Sequence, residues 1–359
     1  MDISIIILTF NEELHIRRCI ENVAPLARDV FVVDCFSTDT TVEIADECGA
    51  SVVQNPWPGA QALQFNWALD HLPIRTKWVL RLDADEYLSS ELIEEITSKL
   101  ETLPEEVTGV ALHLRRVFMG RVIRRGMPRI KMIRLFRYGK ARCEQRLMDE
   151  HIELLEGRSV TFDGDFADDN LNDIGWWTAK HNGYALREAV DLLDLEFGLL
   201  EGNETTEGAE DEVAVGSGSR QYGGAEGTGD EVAVGSGNQQ SAVGSGSQQS
   251  AVGSGSRQSA GGLEGQAAAK RRKKMEYARM PLFWRAFAYF CYRYFLRGGF
   301  LEGSEGFLWH FLQGWWYRTL VDAKVWEIKR ASGGDPQKML ALLRDKYGMS
   351  LRPRSGHEK

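Results

Sequence analysis

The chain has 359 residues, 43 Lys plus Arg against 52 Asp plus Glu, and a formal charge of −9. Hydrophobic residues at 43% and charged residues at 26% are ordinary globular proportions; they exclude a wholly disordered chain, and the length allows one large domain or two ordinary ones. The cysteines (Cys19, Cys35, Cys48, Cys143, Cys291) are scattered without a C-x-x-C pair, which disfavours a disulfide framework or structural zinc and points to a reducing, cytosolic compartment.

Ile3 to Thr9 is a continuous apolar run rich in β-branched residues, as in a strand covered on both faces. It lacks a basic leader and a small-residue cleavage site, so a buried strand fits better than a signal peptide. Glu12 to Val23 reads as a helix and Val30 to Asp34 as a second buried strand. Ser37, Thr38 and Asp39 supply caps for a helix over Thr40–Cys48, with Gly49 as its stop. Ser51–Gln54 reads as a strand, Gly59–Leu72 as a helix, Trp78–Leu82 as a strand, Leu92–Leu103 as a helix and Val110–Leu114 as a strand. Repeated β-α-β units predict an α/β fold, a Rossmann-like, mostly parallel sheet with helices on both faces. Such sheets bind ligands beyond the carboxyl ends of their strands.

Residues 121–156 read as irregular strand and loop, and Asp173–Gly198 as a helix. The composition then breaks. Residues 200–268 are rich in Gly, Ser and Gln and contain AVGSGNQQ, AVGSGSQQ and AVGSGSRQ at a nine-residue period, without bulky side chains to stack; a flexible linker is expected. Residues 269–334 mix aromatics with arginines, and 335–359 form a terminal helix and tail. From Lys270 to Arg330 stand 13 basic and 5 acidic residues, a net +8 within an acidic chain. Amphipathic helices of this composition suit an anionic membrane interface, although a hairpin packed on the first domain with snorkelling arginines uses the same residues. No apolar stretch has the length of an ordinary spanning helix.

The sharpest chemical signal is Asp83-Ala84-Asp85 after the fourth strand. Residues i and i+2 of an extended chain point the same way, so two carboxylates there can share a hard divalent cation whose other partner is a diphosphate. Thr9-Phe10-Asn11-Glu12 and Asp34-Cys35-Phe36-Ser37 end the first two strands at the same edge. Ser37 and Asp39 also serve as plain helix caps, whereas Asp34, an acid ending an apolar strand, requires a partner such as a ribose or base edge. No G-x-G-x-x-G follows the first strand and no G-x-x-x-x-G-K-[ST] occurs, which excludes the common dinucleotide and P-loop sites.

The runs ILTFNEE, VVDCFSTDTT and LRLDADE, in that order, resemble the family 2 glycosyltransferases of the GT-A fold. With the later RLFR, EH and KHNGYA, the sequence is most similar to the bacterial branch that adds glucose or related sugars to lipopolysaccharide core and other glycolipids. The resemblance covers residues 1–199, and more loosely GGFLEGSEGFLWHFLQGWWYR; the repeat-bearing insert departs from it. It implies a UDP-sugar donor held by Thr9, Asn11, Glu12, Asp34, Ser37 and Asp83, and Mg²⁺ or Mn²⁺ bound by Asp85 with Asp83. An inverting reaction also needs a base, for which Glu150 is favoured over Asp149, with His151 orienting it or reaching the metal. Arg134 and Lys180 are candidate phosphate contacts, and His181 a candidate metal or charge-offsetting group or a half-buried helix residue. The acceptor expected is a lipid-linked or lipopolysaccharide saccharide at the cytoplasmic face of the inner membrane, bound peripherally through residues 270–330, with no nucleic-acid partner. A polyprenyl-phosphate acceptor or a catalytically silent nucleotide-sugar-binding scaffold are the alternatives.

Overall fold

The computed structural model describes residues 1–144, 151–200, 277, 279–349 and 351. The expected linker therefore lies almost wholly outside the described residues, as do Asp149 and Glu150.

The sheet has nine strands. Along its main path lie β3 (Ser51–Gln54), β2 (Asp29–Asp34), β1 (Ile3–Thr9), β4 (Trp78–Asp83), β8 (Ile130–Arg137), β6 (Val107–Phe118), β11 (Arg158–Asp168) and β5 (Glu86–Leu88), with β7 (Arg121–Val122) paired on β6. β3, β2, β1 and β4 run parallel to one another, and β11 runs parallel to β6. β8 is inserted antiparallel between β4 and β6. The sequence reading placed Val110–Leu114 as the next strand of one β/α series; it is the middle of the longer β6, one strand further away from β4.

Alternation along β1 explains why both faces are covered. Ile3, Ile5 and Ile7 pack with α1 (Ile16–Val23), α2 (Thr41–Glu47) and α4 (Ser90–Lys99), whereas Ile6 meets α3 (Gln61–His71) through Phe65, Ala68 and Leu69. All four isoleucines are fully buried. Each contributes about 1.5–3 kcal/mol by leaving water. The small antiparallel hairpin of β9 (Ala141–Cys143) and β10 (Ile152–Leu154) covers the α3 face beside the helix. α1 begins at Ile16, four residues later than the sequence pattern predicts, because Glu12 is occupied by other bonds: its backbone N–H donates to Thr41 Oγ1 at 2.7 Å and its carboxylate meets His15.

Two irregularities shape the site. On β8 the register passes from Val110↔Leu135 to Ala111↔Ile133, so Arg134 is the extra residue of a β-bulge, a device that re-aims a side chain. On β11 the register also breaks between Thr161 and Asp165, where a Cβ on Gly164 would lie 2.5 Å from the Leu92 Cα; only glycine lets α4 approach this closely.

α5 (Ile174–Phe197) is capped by Asp173, whose carboxylate accepts from Trp176 N at 2.8 Å, and stops at Gly198 with φ 61°. The chain resumes in α6 (Trp284–Cys291), a π-turn (Tyr292–Leu296), a 3-10 turn (Gly299–Glu302), α7 (Gly303–Trp309), a second π-turn (His310–Trp316), α8 (Tyr317–Ser332) and α9 (Pro336–Tyr347). Val321, Val325 and Ile328 of α8 pack on Ala185, Ala189 and Leu193 of α5. Trp309 joins Phe118, Ile123 and Trp177 in a second contact between the tail and the sheet. The Arg285–Asp322 ion pair between α6 and α8 is buried on both sides. Among the described residues no helix is long and apolar enough to cross a membrane.

Candidate active site at the carboxyl ends of the parallel strands

β1 and β2 end side by side, Thr9 opposite Asp34. Asp34 is fully buried, and its carboxylate accepts from Thr9 Oγ1 at 3.1 Å, Ser37 N at 2.9 Å, Gln54 Nε2 at 3.2 Å and the Ser37 hydroxyl. The partner that a buried acid requires is thus supplied internally, by the ends of β1 and β3 and by the turn after β2. Asn11, at φ 55°, donates its N–H to Ser37 Oγ at 2.8 Å and accepts Thr38 N at Oδ1, also at 2.8 Å. Asparagine tolerates this left-handed conformation better than bulkier residues. His15 accepts Leu171 N at Nε2, which leaves Nδ1 as the donor to Glu12 Oε2 at 2.6 Å. These bonds make the turns after β1 and β2 one rigid rim.

β4 ends at Asp83, opposite Leu8 of β1, so Asp83-Ala84-Asp85 lies along the same edge. Asp83 Oδ2 is 3.5 Å from Arg134 Nη2 and Oδ1 is 3.7 Å from Arg81 Nη2, but Oδ1 is buried without a hydrogen-bond partner. Burial acts to raise the Asp83 carboxyl; Arg134 and Arg81 outweigh it, and the net direction is down, which keeps it ionised. Asp85 is half-buried and accepts from Asn170 Nδ2 at 3.1 Å. An orphaned buried oxygen beside a partly open carboxylate fits a hard divalent cation. Among the described residues no three His, Cys, Asp or Glu side chains are grouped to hold an ion unaided. One or two carboxylates plus substrate phosphates suffice for magnesium, so the arrangement suits a cation brought with a diphosphate.

Arg134 is buried between Glu86 Oε1, at 2.5 Å, and Asp83. Its reach from the bulge makes it the counter-ion of the acidic strand end. Arg137, its neighbour in IRLFR, bonds the carbonyls of Val107, Leu103 and Pro104 and holds the sheet edge.

The sequence reading missed Glu86, Asp168, Asp169, Arg18 and Arg116. Glu86 is 4% exposed and accepts Asp83 N at 2.9 Å; burial, against the pull of Arg134, pushes its carboxyl well up. β11 sets Asp168 opposite both Glu86 and Arg116, and Arg116 bonds Asp168 at 2.9 Å. Burial first, then the nearby Asp85 and Asp83, raise the Asp168 carboxyl despite Arg116. Arg18 ties Asp169 and the Asp85 carbonyl to α1. The sequence reading left residues 157–172 unassigned and no motif marks Asp168; pairing of β11 with β6 and β5 is what brings it to the site.

Lys180 and His181, adjacent on α5, part company. Lys180 lies over the Trp176 ring at 4.4 Å; burial acts to lower its pKa, and Tyr184, Asp85, Glu12 and Asp168 outweigh it, so its charge faces the acidic rim. His181 stacks on Trp177 at 3.5 Å and bonds the Trp177 carbonyl, and burial lowers it to about 4. Its neighbours are the aromatic cluster, and the charges acting on it are the cations Lys180 and Arg116. His151 immediately precedes β10, its carbonyl accepting Glu144 N at 2.8 Å. The hairpin carrying it is anchored at Cys143, whose sulfur lies 3.2 Å from Arg81 Nη1. Arg81 thereby links that hairpin to Asp83, while Asp149 and Glu150 fall outside the described residues.

Comparison with known proteins accords with this edge. Residues 4–151 match the family model "Glycosyl transferase family 2". The matched segment holds β1 to β9, both Asp83 and Asp85, and the rim of Thr9, Asn11 and Asp34. An uncharacterized glycosyltransferase of Rickettsia bellii is 46% identical over 94 residues, 26% of this chain and 31% of the relative; one of Rickettsia conorii is 43% identical over 101 residues, 26% and 32%. The chain thus spans about a third of the length of the relatives it matches. Among solved structures, S. aureus TarS 1-349 in complex with UDP is similar at 24% identity and a TM-score of 0.30, over 35% of this chain and 39% of that one. Glucosyl-3-phosphoglycerate synthase from Mycobacterium tuberculosis with Mn²⁺, UDP and glucosyl-3-phosphoglycerate is similar at 23% and 0.26, over 33% and 44%.

Proposed function

We propose that this chain is a metal-dependent, inverting glycosyltransferase that moves a hexose, glucose first among the candidates, from a UDP-sugar to a hydroxyl of a lipid-linked saccharide at the cytoplasmic face of a membrane. The observation that carries this reading is the orphaned Oδ1 of Asp83 beside the half-buried Asp85 at the carboxyl end of β4. The match of residues 4–151 to glycosyl transferase family 2 supports the reaction class. In this reading Asp85 and Asp83 hold Mg²⁺ or Mn²⁺; the cation's contribution is to neutralise charge on the departing diphosphate. The rim of Thr9, Asn11, Glu12, Asp34 and Ser37 orients the nucleoside, and Lys180 offsets diphosphate charge from the side of α5. Arg134 and Arg81 keep Asp83 ionised, and so able to bind, down to lower pH than a lone buried acid. Glu150, ahead of Asp149, takes the proton from the acceptor hydroxyl as its oxygen attacks the anomeric carbon. The tail, residues 270–330, holds the enzyme at the bilayer that carries the acceptor.

The test is UDP release by the full chain from a panel of UDP-sugars, with Mn²⁺ and a glycolipid extract as acceptor. One donor or a few are expected to be consumed, with loss of turnover in chelator. Absence of release from every nucleotide sugar, with metal and acceptor supplied, would contradict the reading. Turnover that survives Glu150→Gln would favour a phosphate-bearing acceptor, whose oxygen needs no base.

A further inference from the structure

Residues 115–131 hold seven cations (Arg115, Arg116, Arg121, Arg124, Arg125, Arg129 and Lys131) and no acid. The structure divides their work. Arg115 and Arg129 reach Asp165, Arg116 bonds Asp168, and Arg121 lies 3.5 Å from Glu305. Arg124 and Arg125 are exposed, and among the described residues neither has a carboxylate within ion-pair distance. Their loop, between β7 and β8, is fastened to the tail: Arg124 N donates to Glu302 Oε1 at 3.2 Å and Gly126 N to the Arg297 carbonyl at 3.2 Å. Gly126 has φ 78°, and a Cβ there would stand 2.2 Å from the His310 ring, so the loop and the helices meet backbone to side chain.

The segment it meets is apolar and uncovered. Phe295, Leu296, Phe300 and Leu301 are 57%, 81%, 50% and 53% exposed, and Arg297 among them is exposed and likewise without an acidic partner among the described residues. Arg125 lies alongside Gly298, between those two apolar pairs. A single exposed leucine signifies nothing. Four large apolar side chains within seven residues, beside three guanidinium groups without an acidic partner among the described residues, pair the two attractions a lipid surface offers: acyl chains for the first and anionic headgroups for the second. A folded protein partner would more commonly bring carboxylates to meet three such cations and bury the aromatics in a pocket; here the apolar side chains are exposed on two successive short turns.

We propose that the β7–β8 loop, through Arg124 and Arg125, joins Arg297 and the exposed side chains of Phe295, Leu296, Phe300 and Leu301 in one docking surface for a bilayer containing anionic lipid. The inference rests on the membrane attachment proposed above and moves part of its charged half out of the tail and into the sheet domain. The site edge is linked to this surface, since β6 carries Arg116 at the acidic rim and continues through Phe118 into the loop. Docking there sets the rim at a fixed height over the bilayer.

Sedimentation of the full chain with phosphatidylcholine vesicles, with or without phosphatidylglycerol, tests the proposal. The wild type is expected to pellet with the anionic vesicles, less so as salt rises. Arg124→Gln with Arg125→Gln is expected to weaken that binding roughly 30-fold, about fivefold for each cation near the surface. Leu296→Ser with Phe300→Ser is expected to weaken binding to both kinds of vesicle. Circular dichroism and detergent-phase UDP release check that each variant is folded. Unchanged anionic-vesicle binding by the folded arginine variant would overturn the loop's role while leaving tail attachment standing. Failure of the wild type to bind either vesicle would overturn attachment itself, and pelleting only with protein-bearing membranes would assign the surface to a protein partner.

Discussion

Asp34 sits fully buried at the end of β2, and its carboxylate accepts from Thr9, Ser37 and Gln54. Truncating it strands the Thr9 hydroxyl, the Ser37 N–H and the Gln54 amide. Asp34→Ala is therefore expected to cost about 1–3 kcal/mol in urea unfolding before any effect on donor binding is considered. Arg134 gives a prediction in pH. Its guanidinium, with Arg81, holds the Asp83 carboxyl below its ordinary value against burial, so Arg134→Gln raises that pKa. The acid limb of UDP and Mn²⁺ binding should then move to higher pH, as read by titration calorimetry across a pH series; an unmoved limb would remove Arg134 from the metal argument. His310 acts on stability. Burial, with Arg293 adjacent, lowers it from 6.5 to about 4, so the folded protein keeps it neutral while the unfolded chain binds a proton. Its contribution is fully present above pH 6.5 and is lost as pH falls towards 4. The melting temperature should fall across that window, and less so in His310→Phe. Thr9, Asp34 and Asp83, which end apolar strands, and Asp85, in the turn after β4, were legible in the sequence because an acid or hydroxyl at that place breaks a hydrophobic run. Asp168 and Arg116 were not, because their polar strand ends acquire meaning only from β6–β11 pairing.

At the scale of elements, β1 to β4 and α1 to α5 follow from apolar runs, with side-chain N-caps at α4 and α5 but not at α2, whose N-cap Thr40 makes no side-chain cap bond, while β8 shows where that signal stops. IKMIRLFR carries a strand pattern, but nothing local says that it inserts antiparallel between β4 and β6, or that Arg134 is the bulged residue. That bulge is what turns a sheet-edge arginine into the counter-ion of Glu86 and Asp83. The tail helices were legible as amphipathic and basic, yet their arginines divide by burial. Arg285 is 2% exposed and paired with Asp322 at 1%, whereas Arg297 is exposed. Arg285→Ala leaves a buried carboxylate uncompensated and should destabilise the protein by about 3–5 kcal/mol; replacing both partners by apolar residues of similar volume should cost far less. Denaturant midpoints of the single and double variants separate the two cases.

Taken whole, the tail is part of the folded body as well as a candidate membrane contact. α8 covers Ala185, Ala189 and Leu193 of α5, and Trp309 covers Phe118 and Trp177 next to the sheet. Ending the chain near residue 200 would uncover those faces, so such a truncation should aggregate, and its failure to bind vesicles would say little about lipids; point variants on the exposed side are the informative ones. The central claim remains the cation at the end of β4. Calorimetric titration of UDP into the full chain, with Mn²⁺ and then with excess chelator, for wild type and for Asp83→Asn with Asp85→Asn, tests it most directly. The account predicts Mn²⁺-dependent binding by the wild type and loss of that Mn²⁺-dependent gain in the folded double variant. Equal UDP affinity in all four conditions would contradict it.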